Sequence, residues 1–135
     1  MSLDWDNDPE LKAIRDEFVR SLADREKALI EALSSLSEDP AGGLRDIQHV
    51  AHKLAGTASS YGFPSLTRFG ELVDDRLDAL FSTSAGGTEL AKEGEVAKKY
   101  ARALADALKK AHASGKDDPA ILATDGAKSL ISAGG

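Results

Sequence analysis

The stretch HVAHKLAGTASSYGF, residues 49–63, decides how the chain is read. It holds two of the three histidines, His49 and His52. Four residues past His52 comes Gly56, inside what otherwise reads as a helix. A glycine in a helix interior costs about 1 kcal/mol relative to alanine, so this one needs a reason. Each residue advances a helix by about 100°. With His52 at 0°, Leu44, Ile47, Val50, Ala51, Leu54, Ala58 and Tyr61 fall between about 160° and 280°, one apolar stripe that must face a core. His52 lies about 140° from the centre of that stripe and Gly56 about 180°; His49 faces outward as well. The helix, read as residues 44–61, stops at Gly62, which suits a left-handed C-terminal cap, and Pro64 follows two residues later.

Outward from this segment the same pattern recurs. Residues 8–36 form the longest periodic block, with Asp8 as N-cap and Pro9 at the first helical position. Leu11, Ile14, Phe18, Leu22, Leu29, Leu33 and Leu36 recur there at helical spacing. SEDPAGG (37–43) reads as a loop. Residues 65–82 carry Leu66, Phe69, Val73, Leu77 and Leu80 on one stripe, STSAGGT (82–88) is a second loop, and a last helix runs over 89–113 with Ala97, Tyr100, Leu104, Leu108 and Ala111 inward. No alternating strand pattern and no internal repeat occurs. The expected fold is all-α: an up-down four-helix bundle over residues 1–113. Residues 114–135, small and only weakly patterned, are expected to be a flexible C-terminal tail, with room for one short helix and little for the core to bury.

Composition narrows the function. The 135 residues suffice for one domain with one core. The absence of cysteine removes disulfides, thiolate chemistry and cysteine-based zinc sites. A net charge of −6 provides no positive field to gather nucleic acid. No apolar run approaches the ~20 residues of a membrane span, and the opening MSLDWDNDPE has no hydrophobic signal region. A cytoplasmic monomer is the expectation.

The surroundings of His52 point to its chemistry. Gly56 lies one turn on, Ser59 two turns on and Ala55 beside it, so bulk is stripped away and a partner can approach the imidazole. Arg45, Gln48, His49, Lys53, Ser59 and Ser60 surround it. Metal binding by the histidine pair lacks a further ligand on this face, and Lys53 and Arg45 repel a cation. General-base hydrolysis lacks an acidic orienter and an oxyanion motif nearby. A nucleophile that carries a phosphoryl group needs a neutral imidazole, open access and nearby donors, and no carboxylate crowds the face of this helix.

Residues 51–66, AHKLAGTASSYGFPSL, resemble the signature of histidine phosphotransfer (HPt) domains of multistep phosphorelays. That signature has a histidine followed by a leucine two on, a lysine three on, glycines four and ten on and a leucine fourteen on. Here these positions hold His52, Leu54, Ala55, Gly56, Gly62 and Leu66, and Asp74 fits an acidic residue frequent in the next helix. Ala55 departs from the pattern; Lys53 stands about 100° round the helix from His52 instead. The resemblance implies His52 as phosphoacceptor, with Arg45, Gln48, His49, Lys53, Gly56, Ser59 and Ser60 as the docking face for receiver domains of response regulators or hybrid kinases. It implies a carrier rather than an enzyme, with no cofactor of its own and Mg2+ on the partner. Two other readings stay open: a non-phosphorylated HPt-like adaptor, and a detached phosphoacceptor module of a chemotaxis-type kinase.

Overall fold

A computed structural model describes residues 7–132. The expected domain began at residue 1; its first six residues lie outside the described part, as do residues 133–135 of the expected tail. Four long helices form the bundle: α1 (Pro9–Ser35), α2 (Pro40–Thr57), α3 (Pro64–Ser82) and α4 (Gly87–Ser114). A short α5 (Asp125–Ser132) follows, and 3-10 turns occupy Ala58–Tyr61 and Pro119–Ala123. α1 packs against α2 and α4, α2 packs along the length of α3, and α5 lies chiefly on α4. No helix of the described residues is long and apolar enough to cross a membrane.

The stripes read from the sequence form the core. Leu44, Ile47, Ala51, Leu54 and Ala58 of the His52 helix are fully buried, as are Phe69, Val73 and Leu77 of α3 and Tyr100, Leu104 and Leu108 of α4. Ile14 is a correction: it is half exposed, because the face of α1 that meets the bundle runs through Phe18 and Leu22. α2 is a second correction. It starts at Pro40, four residues earlier than expected, because Asp39 accepts a hydrogen bond from Gly42 N and Pro40 sets the first helical φ. The glycines that suggested a loop sit within this first turn, where a Cβ at Gly43 would stand 2.8 Å from Leu36. At its other end α2 tightens into the Ala58–Tyr61 turn, and Gly62 closes it with φ +89°.

The core also continues past residue 113. Ile121, Ala127 and Leu130 are buried, the last two on α5. A Cβ on Gly126 would meet the Lys99 carbonyl at 2.6 Å, so α5 and α4 touch backbone to backbone. Asp117 reaches across 52 residues to the start of α3, accepting from Ser65 N at 2.9 Å and Ser65 Oγ at 2.7 Å. Phe63, the N-cap of that helix, has no side-chain oxygen to do so. Arg15 ties the same corner, donating to the Tyr61 and Gly115 carbonyls. The extension from residue 114 therefore carries the short helix its composition allowed, and that helix is too short for its buried pair, Ala127 and Leu130, to repeat as a stripe.

Candidate functional site

The site lies where α2 and α3 cross. Gly70 of α3 makes the crossing close: a Cβ there would stand 2.6 Å from the Ala51 carbonyl oxygen and 3.0 Å from Ala55 N. His52 follows Ala51 directly, and Asp74 stands one turn beyond Gly70, so the crossing brings their side chains together. His52 Nδ1 lies 2.9 Å from Asp74 Oδ2. Gln48 Nε2 donates to the other oxygen, Asp74 Oδ1, at 3.2 Å. Both oxygens of Asp74 are thus held from α2.

This arrangement sets the chemistry of the ring. A carboxylate only accepts, so Nδ1 carries the proton of a neutral imidazole and Nε2 keeps the free lone pair. The His52 side chain is 74% exposed while that of Asp74 is 21% exposed. A half-buried anchor therefore holds one edge of the ring, and the nucleophilic edge faces solvent.

An open cleft of about 510 Å3 runs beside the pair, with Arg45, Gln48, His49 and His52 on the α2 wall and Asp74, Asp75 and Asp78 on the α3 wall. The Arg45 guanidinium stacks over the Phe81 ring at 4.2 Å, which fixes it at the far end of the cleft. Of the other residues expected to dock a partner, Lys53, Gly56, Ser59 and Ser60 are exposed but do not line the cleft. Ser59 N donates to Thr67 Oγ1 at 2.7 Å, so its backbone belongs to the turn that closes α2. A Cβ on Gly56 would meet nothing within 4 Å. The helix is open there, and Gly56 serves no packing.

The expectation that no carboxylate stands near His52 is corrected by α3, whose Asp74 orients the ring and whose Asp75 and Asp78 complete the wall. A helical wheel of α2 cannot show a residue that another helix delivers. The signal in the sequence was Asp74 itself, at the place where the signature carries an acid. Among the described residues no group of three or more His, Cys, Asp or Glu is arranged to hold a metal ion.

Two exposed histidines, His49 and His52, thus lie on one face of α2, and the ring of His52 is oriented by a carboxylate from the next helix. A family model described as Hpt domain matches residues 13–114, and the chain belongs to that family. Hpt domains act in histidine phosphotransfer within phosphorelays and interact with receiver domains. No curated protein and no solved structure matches the chain.

Proposed function

We propose that this chain is a phosphoryl carrier whose acceptor atom is His52 Nε2. The donor is the phosphoaspartate of a receiver domain, which brings its own Mg2+. The Nε2 lone pair attacks phosphorus in line, the Nε2–P bond forms as the P–O bond to the donor aspartate breaks, and the electron pair leaves with that carboxylate. The proton stays on Nδ1, donated to the Asp74 carboxylate, whose negative charge balances the positive charge that develops on the ring. The reverse sequence delivers the group to a second receiver. In this role the chain is a carrier and not a kinase, a monomer working in the cytoplasm.

The observation that supports this reading most is the pairing of Nδ1 with Asp74, which in the neutral ring directs the free lone pair to Nε2 on a side chain that is 74% exposed. Arg45, Gln48 and His49 would form the near docking surface, with Lys53, Gly56, Ser59 and Ser60 beyond it. Ala55, in the place of the signature lysine, keeps an adaptor without phosphoryl chemistry as the second reading. Ala55 is half-buried beside Gly70 at the helix crossing, a setting that suits a small side chain.

One experiment separates the two. The protein is incubated with phosphoramidate, and separately with a phosphorylated receiver domain, and acid-labile phosphate is counted. His52→Gln should take up none, and His49→Gln should be slowed only. Uptake by His52→Gln but not by His49→Gln reverses the assignment. Absence of uptake by the unaltered protein from either donor favours the adaptor.

A further inference from the structure

α3 is gripped from two sides by polar side chains. Asp74 faces α2 and the imidazole. Arg76, two residues on and about 200° round the helix, faces α4. There Glu93 is buried and accepts from Arg76 Nε, from Arg76 Nη2 at 2.8 Å and from Tyr100 Oη at 2.8 Å. Tyr100 is fully buried, and the Arg76 guanidinium also lies 5.7 Å from the centre of its ring. Three donors therefore converge on the two oxygens of one buried carboxylate.

The setting gives this cluster a purpose beyond cohesion. α3 packs extensively on α2 but only sparsely on α4. Apolar packing between α3 and α4 is thus a weak guide to how α3 sits against α4. A buried ion pair adds little net stability, since desolvation offsets most of its attraction, but it strongly disfavours arrangements that break it. Slipping α3 by one residue moves it about 1.5 Å along its axis. That breaks the paired Arg76–Glu93 contacts and carries Asp74 away from Nδ1 together.

We propose that Arg76, Glu93 and Tyr100 are positioning residues for the candidate phosphoacceptor: they pin α3 to α4 in the one register that keeps Asp74 on His52 Nδ1. The proposal rests on the reading of His52 as acceptor for its functional meaning. The pin itself is a statement about ring geometry and is read independently of phosphate.

The test replaces the cluster with apolar residues of similar size, Arg76→Met, Glu93→Leu and Tyr100→Phe together, which leaves no stranded charge. The readout is the His52 ring by 15N nuclear magnetic resonance, whose shifts report which nitrogen is protonated, with Asp74→Ala as the reference for an unanchored ring. The triple variant should unfold cooperatively yet give His52 shifts moved towards those of Asp74→Ala, and phosphate uptake from phosphoramidate reduced about threefold, less than in Asp74→Ala. Should it fail to fold, Arg76→Lys keeps the charge and loses the two-pronged contact, and the same shift in smaller degree is expected. His52 shifts unchanged in a folded triple variant, or unchanged in Arg76→Lys, overturn the pin. Altered shifts alongside an unaltered protein that takes up no phosphate support the pin and overturn the carrier reading instead.

Discussion

Alanine at Gly70 and alanine at Gly56 should change stability in opposite directions, although both positions are glycines inside helices. At Gly56 the new methyl meets nothing within 4 Å. The variant gains the helix propensity of alanine, about 1 kcal/mol, with no steric cost. At Gly70 the methyl would stand 2.6 Å from the Ala51 carbonyl oxygen and 3.0 Å from Ala55 N, well inside ordinary contact, and both are backbone atoms that cannot rotate away. α3 must then retreat from α2, and overpacking of this kind costs about 1–3 kcal/mol. After the same propensity gain the net loss is ~0–2 kcal/mol, so the two variants should differ by ~1–3 kcal/mol. For a chain of this size each kcal/mol moves the melting temperature by about 3–5 °C. Urea and thermal unfolding followed by circular dichroism measure both. If Gly70→Ala is stabilised as much as Gly56→Ala, the helices do not touch at this crossing, and the account of how His52 and Asp74 meet fails with it.

Further tests follow from the same geometry. Asp74→Ala should slow phosphate uptake from phosphoramidate by up to about tenfold without abolishing it, because the lost hydrogen bond to an exposed ring is worth about 1 kcal/mol; an unchanged rate would remove Asp74 from the mechanism. Gly56→Gln should leave unfolding midpoints intact or raised while transfer from a phosphorylated receiver domain falls and uptake from phosphoramidate does not; equal effects on both donors would exclude a docking role. Truncation after Ser114 should lower stability by about 2 kcal/mol or more, since Ile121 and Leu130 lose their burial and α3 loses the Asp117 cap; an unchanged urea midpoint would show the segment to be dispensable. Burial, reinforced by the charge and hydrogen bond of Glu93, raises the Tyr100 phenol far above its ordinary value. The folded chain then keeps a proton that the unfolded chain releases, so stability is intact below about pH 10 and falls as pH climbs further. Tyr100→Phe should flatten that alkaline limb, and a limb of unchanged slope would place its cause elsewhere.

The two glycines also show what the sequence could and could not reveal. Gly56 sits opposite the apolar stripe of its helix, and that placement alone read correctly as open space. Gly70 sits beside Phe69 on the buried side of α3, where a glycine implies that another backbone comes close, yet only the fold says which one. Gly62 with Pro64, and Asp8 with Pro9, marked their boundaries because each pair fixes local backbone geometry. Asp39 and Pro40 sent the same message, masked by the two glycines just after them. The anchoring of the ring was out of reach of any single-helix pattern, since Gln48, His52 and Asp74 meet only after α2 and α3 have crossed. Ala127 and Leu130 stand at helical spacing, but α5 is only eight residues long, too short for a stripe to repeat, and the burial of the C-terminal segment went unread for that reason.

The 74% exposure of the His52 side chain has a consequence in time as well as in space. In the proposed role, a phosphoryl group on Nε2 would sit beside an open cleft, on a side chain that stands mostly in water. Its lifetime would then follow from the intrinsic stability of the P–N bond. Speed would come from the partner, which must supply the cation and the dry pocket at the moment of transfer. Such a site stores no long memory of a signal. Its fidelity depends on how soon the next receiver arrives, so the abundance of that receiver, more than any feature of this chain, would set how faithfully a pulse is passed on.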